Sequence, residues 1–349
     1  MRAKLMFAIV AGLVGAASLP AVCAAQSGSV SLQPPSEIVG PLEAQARENW
    51  RADIAHIATP SEGCFEATYP SVIWHQTVCR EVIPRVHPMP RWHLPGAKET
   101  AGNGNDYTLQ TTSLITQTVG NFPTVTGVTS EQGVGVAAYG GGGILGANEY
   151  SLQINSSFSS TTSACKSHSG CTVWQQFVYA PDYETQGQAA VFMQYWLIGY
   201  GGTSCPSGWG SDGAGDCYKN SAAATAPDVA ATQLGNVKLT GTVTSGGNDT
   251  VVFTNGTKAY SSSGKDSVLY LAQVWKESEF NVVGNAGGSE AQFNSGSSIT
   301  VKVAVTDGST AAPSCVADSG TTGESNNLNL GSCTASGGST PSIQFTESN

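Results

Sequence analysis

From Tyr107 onward the chain is written in short runs of alternating apolar and polar residues broken by Gly, Asn, Asp and Ser. The runs are YTLQTTSLITQTV, GVGVAAY, YSLQINSSF, TVWQQFVYA, AVFMQYWLIGY, NVKLTGTVTS, DTVVFT, SVLYLAQVW, SSITVKVAV and PSIQFTES. Alternation with period two puts every second side chain on one face of a strand, so each run has a face to bury. Hardly a helical period is found among them. The pattern predicts an all-β domain, a β-sandwich of the jelly-roll type, over residues 101–349.

The chain ahead of it has another character. Arg2 and Lys4 precede the apolar run LMFAIVAGLVGAASL and small residues around AVCAAQ. That is the pattern of a secretory signal peptide over residues 1–25, too short for a comfortable membrane span. Val22 stands where a lipobox prefers a smaller residue, so Cys23 is not read as a lipid anchor. Residues 26–100 read as a prosegment or accessory region. Within it, Pro41 to Ile57 has helical spacing, with Leu42, Ala46, Trp50, Ile54 and Ile57 along one stripe. A small loop follows between Cys64 and Cys79, then VIPRVHPMPRWHLPG, whose prolines exclude regular helix or central strand. AGNGND at 101–106 is the most hinge-like stretch.

Outside the signal stand eight cysteines, an even set that in an exported chain argues for disulfides. Closeness in sequence predicts Cys64–Cys79, Cys165–Cys171, Cys205–Cys217 and Cys315–Cys333. No CxxC occurs and histidine is scarce nearby, so no metal is expected, and no cofactor motif is present: GGGG at 140–143 lacks the strand–loop–helix context of a phosphate cradle. Every arginine lies at or before Arg91, and from Ala101 onward 17 Asp and Glu face 7 Lys. An acidic, arginine-free body is unsuited to neutralising nucleic-acid phosphates or docking on an anionic membrane. The expected product is a monomer, secreted to the extracellular space or periplasm, and suited to an acidic milieu where self-repulsion falls.

Elimination narrows the chemistry further. A Ser–His–Asp triad needs a histidine base, and the β-domain offers only His168, inside the short Cys165–Cys171 loop. Carboxylates and amides remain. The stretch LYLAQVWKESEFNVV, read as one strand from Leu269 to Val283, carries Trp275, Glu277 and Glu279 at every second position. TVWQQFVYAPD carries Gln175 and Gln176, one for each face, beside Trp174; VFMQYWLIGYG carries Gln194 and Trp196 on one face. A carboxylate can act as general base toward water, and an amide can stabilise a developing oxyanion.

These segments resemble the glutamic peptidases, the β-sandwich clan of the fungal eqolisins and plant neprosins. YSLQINSSF followed by VWQQFVYAPDYETQGQAAVFMQYWLIGYGGTSC is similar to the neprosin run of catalytic strand, Pro-Asp turn, aromatic strand and Gly/Cys loop. SEFNVVGNAGGSEAQFNSGSSITVKV is similar to the eqolisin segment around its catalytic Glu. The eqolisin Trp-Ala-Gly opening is absent, and Gln194, Tyr195 and Trp196 stand where its Tyr-Glu-Trp strand would be. The resemblance implies a concanavalin-like sandwich and a secreted zymogen of an acid-acting endopeptidase with a polypeptide substrate. It makes Glu279 and Gln175 the catalytic pair, with Glu277 and Gln176 as register alternatives. Trp275, Gln194, Trp196 and Trp174 would line the substrate cleft. Protonation of the early histidines His56, His75, His87 and His93 would loosen the prosegment from the acidic body.

Two other readings fit the same residues. One is a jelly-roll glycoside hydrolase using Glu277 and Glu279, although the Glu-x-Asp-x-x-Glu pattern of laminarinases is absent. The other is a non-catalytic, lectin-like carbohydrate binder with Trp and Tyr platforms.

Overall fold

The structure, a computed structural model, describes residues 39–82, 106–137, 140–166, 168–201, 204–213, 215–317 and 324–349. The signal stretch, nearly all of the proline-rich tail and the hinge up to Asn105 lie outside the described residues, as do His87 and His93.

Two antiparallel sheets carry the fold, their strands numbered in chain order. The first runs from one edge as His75–Thr77 (β2), Gly63–Thr68 (β1), Lys258–Lys265 (β15), Asn248–Asn255 (β14) and Val237–Thr242 (β13). It continues through Gln117–Thr126 (β4), Ser298–Thr306 (β18), Ser342–Ser348 (β23) and Asn329–Leu330 (β21), with Thr334–Ser336 (β22) also on β23. The second runs as Gly210–Ser211 (β10), Cys217–Asn220 (β11), Gln188–Ile198 (β9), Thr172–Thr185 (β8) and Tyr150–Ser156 (β7). Beyond β7 come Glu277–Gly284 (β16), Tyr107–Gln110 (β3) and Ser314–Ala317 (β19), while Ala224–Ala226 (β12) adds to β9. A small third sheet joins Ser325–Asn326 (β20), Ser289–Phe293 (β17), Glu131–Gly135 (β5) and Gly146–Ala147 (β6).

The expected sandwich is the observed one. Alternate residues of the second sheet, among them Leu152, Ile154, Val173, Phe177, Tyr179, Phe280 and Val282, join Leu239, Phe253, Val301 and Val303 of the first in one core. Two glycines set how closely the sheets approach. A Cβ on Gly241 would lie 2.7 Å from the Phe177 ring, and one on Gly120 would lie 2.1 Å from that of Phe280. Each missing side chain is therefore a socket for a phenylalanine, and such interlocking gives interiors their crystal-like density.

The four disulfides pair as neighbours, as the spacing predicts. The expected helix is also present, as α1 over Pro41–His56. Its buried residues are Trp50, Ile54 and Ala55, whereas Leu42 is 90% exposed, so the stripe is shorter than drawn from sequence. Trp50 and Ile54 pack with Phe65, Ala67, Trp74, Val252 and Ala259. Lys238 of β13 pairs with Glu48, and β1 pairs with β15 over its full length. Residues 41–82 are thus built into the sandwich as an edge hairpin and a covering helix.

One strand does not form. SVLYLAQVW folds instead into two 3-10 turns, Asp266–Val268 and Leu271–Gln273. Asp266 captures the chain: its carbonyl accepts the amides of Leu269 and Tyr270, and its carboxyl accepts that of Ala272 at 3.0 Å. Tyr270 takes a left-handed φ of 57°, which lets Leu269, Leu271 and Trp275 all drop into the core. The strand opens only at Glu277.

Candidate functional site

The site begins with register. In the second sheet Glu279 stands opposite Asn155, Asn155 opposite Gln176, Gln176 opposite Gln194, and Gln194 opposite Asn220. Directly opposed residues share a face, so five polar side chains form one row across β16, β7, β8, β9 and β11 on the side away from the inter-sheet core. Hydrogen bonds run along it. The Asn155 amide donates to Glu279 Oε2, and Gln176 Nε2 donates to Asn155 Oδ1 at 3.0 Å. Gln194 Nε2 donates to Asn220 Oδ1 at 2.9 Å.

One pleat repeat away, roughly 7 Å along the strands, lies an aromatic row. Trp174 stands opposite Trp196, and Trp196 opposite Tyr218. Phe158 stacks on Trp174 at 5.5 Å, and Trp196 lies 5.2 Å from Tyr218. The two rows are joined by Trp196, whose indole Nε1 donates to Gln176 Oε1 at 3.2 Å and to Gln194 Oε1 at 2.9 Å. Trp174, Trp196 and Gln194 are therefore brought together beside Gln176, all of them buried.

A further branch leaves Gln176 along β7. Gln176 Nε2 also donates to Gln153 Oε1 at 2.9 Å, and Gln153 Nε2 donates to Glu324 Oε2 at 2.8 Å and to Ser151 Oγ at 2.9 Å. Gln153, Gln176, Gln194, Asn285 and Glu324 border a cavity of about 20 Å³. That is room for one water molecule. These five side chains are buried, Gln176 at 4% exposure, and so is Glu279 at 1%.

Two assignments drawn from sequence need correction. Gln175 is on the wrong face: it points between the sheets, where its Nε2 donates to Asp249 Oδ2 at 3.0 Å, so Gln176 is the glutamine that shares a face with Glu279. Asp249 is fully buried beside Asp266, and burial followed by that second carboxyl pushes its pKa well up. Trp275 is not on the Glu279 face; it stacks on Phe177 at 5.5 Å within the core and donates its indole N–H to the Glu277 carbonyl. Glu277 sits at the first residue of β16, where Gln110 of β3 stands opposite and donates to its carboxylate.

Sequence reasoning missed Gln153, Asn155 and Glu324. For the first two a signal existed: YSLQINS alternates Ser151, Gln153 and Asn155 against Leu152 and Ile154, and both sets are buried. Glu324 lies in TTGESNN, which carries no pattern pointing to the sheet.

At the far end of the same strands acids gather. Glu149, just before β7, bonds Asn285 Nδ2 at 3.1 Å. Burial, then a hydrogen bond with Asp182, raises its pKa to about 7. Burial, then the Glu149 charge, raises that of Glu131 to about 8. Among the described residues no group of His, Cys, Asp and Glu is arranged to hold a metal ion, and no helix is long and apolar enough to cross a membrane.

No family model matches the chain, and no curated protein matches it. Two solved structures are similar to this chain. A crystal structure of scytalido-glutamic peptidase with a transition state analog inhibitor is 14% identical, covers 70% of this chain and 98% of its own, and gives a TM-score of 0.23. SCP-B, a member of the eqolisin family of peptidases in a complex with the tripeptide Ala-Ile-His, is 15% identical, covers 69% and 96%, and gives a TM-score of 0.23. At these values neither likeness bears on function.

Proposed function

We propose that this protein is an acid-acting glutamic endopeptidase in which Glu279 and Gln176 form the catalytic pair. The observation that carries the reading is that the carboxylate and the amide lie in one register row with a single side chain, Asn155, between them. In the proposed reaction Glu279 takes a proton from water as its oxygen attacks the scissile carbonyl. Gln176 Nε2 donates to the oxyanion of the tetrahedral adduct, and Glu279 then passes the proton to the leaving amine. Both Nε2 hydrogens of Gln176 are engaged at rest, by Gln153 and Asn155, so an arriving carbonyl must displace one of them. The aromatic row of Trp174, Trp196 and Tyr218 forms the apolar flank of the cleft.

The N-terminal region supports a zymogen. Arg80 forms an antiparallel bridge with Ala223 and its guanidinium donates to Gln188. Val82 packs with Val178, Ala180, Tyr183 and Phe192, at the apolar end of the face that bears Gln176. In this reading cleavage after Val82 activates the protein, and the protein is secreted. Glu277 is engaged by Gln110 as Glu279 is by Asn155, and of the two only Glu279 stands in the register row that holds Gln176.

The test is cleavage of a denatured protein at pH 3–5 after removal of the N-terminal segment. Wild type should cleave, while Glu279→Gln and Gln176→Ala should each be at least about 100-fold slower, the scale of losing an oxyanion donor. Undiminished cleavage by Glu279→Gln would overturn the assignment.

A further inference from the structure

Gln176 is held from two directions by groups of fixed polarity. An amide side chain can be turned end for end, exchanging its donor NH2 and its acceptor oxygen, so its orientation has to be set by neighbours that can act in only one sense. An ionised carboxylate only accepts, and an indole N–H only donates. When ionised, Glu279 therefore fixes Asn155 with its Nδ2 toward the carboxylate and its Oδ1 toward Gln176. On the other branch Glu324 takes Gln153 Nε2, which turns Gln153 Oε1 toward Gln176. Trp196 donates to Gln176 Oε1 from the third side. Hydrogen bonding runs outward from Gln176 Nε2 in both directions and reaches a carboxylate each way.

We propose that Glu324 is a positioning residue for the Gln176 amide: acting through Gln153, it holds the Nε2 hydrogens in the sense needed to meet a substrate oxyanion. This rests on the peptidase reading for its catalytic consequence. Glu324 is placed for the task by its surroundings. The next residue, Ser325, pairs with Glu290, and Asn326 is tied by its Nδ2 to Val282 O at 3.1 Å and to Glu347 Oε2 at 2.9 Å. The Cys315–Cys333 disulfide closes the loop that carries it. Gln153 adds a second constraint, since its other Nε2 contact, Ser151 Oγ, itself donates to Gly284 O at 2.8 Å and is left as an acceptor.

The mechanism makes a prediction that a merely structural role does not. In Glu324→Gln the acceptor-only anchor is lost, Gln153 can turn, and Gln176 presents its NH2 to the substrate in only part of the molecules. kcat should fall about 10-fold, the change expected when one fixed dipole of several is loosened, while KM and the melting temperature stay close to wild type. In the double variant Gln153→Glu, Glu324→Gln the acceptor-only group moves to position 153 and the amide to position 324. Gln176 must again donate, and most of the lost kcat should return at unchanged net charge. A double variant no faster than Glu324→Gln would overturn the proposal. A second measurement does not depend on peptidase activity: side-chain amide exchange in the intact chain labelled with 15N-glutamine. The Gln176 NH2 should be protected in wild type, exchange faster in Glu324→Gln and regain protection in the double variant. Unchanged Gln176 exchange in Glu324→Gln would overturn the positioning role. A wild type that cleaves nothing but shows this exchange pattern would overturn the peptidase reading and leave the positioning role standing.

Discussion

Gln176 and Glu279 lie two strands apart in the same register row, and the Asn155 amide bridges them by donating to the carboxylate and accepting from Gln176 Nε2. Gln175, one residue earlier, faces the inter-sheet core and donates to Asp249. The two glutamines should therefore fail differently. Gln176→Ala should lower kcat/KM of the folded fraction at least about 100-fold, and because it leaves the buried Gln153 and Asn155 oxygens without their donor it should also cost about 2 kcal/mol of stability. Gln175→Ala leaves a buried carboxyl without its donor, which costs about 2 kcal/mol of stability, and should spare turnover by the folded fraction. Urea melts and peptidase assays on both variants distinguish the outcomes.

Asn155 is neutral, and that matters to Glu279. Asn155→Asp would set a second carboxyl against the Glu279 carboxyl, and a like charge at that distance raises the pKa of the pair. The acid limb of the pH–rate profile should move upward by about one pH unit or more. A limb that stays in place would mean that Glu279 is not the group titrating in that profile.

The acids at the far end of the strands make stability depend on pH. Glu131 and Glu149 titrate near 8 and 7 in the folded chain, raised chiefly by burial. An unfolded carboxyl titrates near 4.3, so between these values the folded state holds more protons than the unfolded one. The stabilisation is full below about pH 4 and is lost as pH rises through 7 and 8. A tenfold difference in proton affinity between the two states is worth about 1.4 kcal/mol, so the fold should be at least about 2 kcal/mol weaker at pH 8.5 than at pH 5. Glu131→Gln should remove much of that slope. Chemical denaturation across this range measures it, and an equal midpoint at both ends would contradict the account.

The phenylalanine sockets predict a packing failure on the core side of the strand that bears Glu279. Gly120→Ala would drive a methyl into the Phe280 ring, one residue along β16 from Glu279. Overpacking of this kind costs about 1–3 kcal/mol, enough to lower the melting temperature by several degrees and to shift β16. Gly246→Ala, where a Cβ meets open space although φ is 71°, is the comparison that isolates backbone strain from packing. Calorimetry on both variants should place Gly120→Ala well below Gly246→Ala.

Much of the fold was legible because it rests on short-range pattern. The jelly-roll class came from period-two alternation, the helix at 41–56 from its apolar stripe, and the disulfides from cysteines close enough in sequence to pair. The choice between Gln175 and Gln176 was not legible. From Val173 to Pro181 β8 is buried on both faces, so polarity does not alternate and nothing local marks which glutamine looks inward. A slip of one residue reverses the face, and only pairing with β7 and β9 settles it.

The SVLYLAQVW stretch and Glu324 show the same division more sharply. The first has strand-like composition, yet Asp266 binds three following amides and its apolar side chains reach the core from turns. The second has no pattern at all, and its place beside Gln153 depends on strand partners and a disulfide contributed by distant parts of the chain. By itself the sequence determined that the body is a disulfide-stapled β-sandwich, that histidine is scarce in it, and that Glu279 lies on a strand. The tertiary structure alone decided which amide meets that carboxylate and which second carboxylate holds the amide in place. Alternation and capping act between neighbours in the chain, whereas a register row is made by strands far apart in sequence.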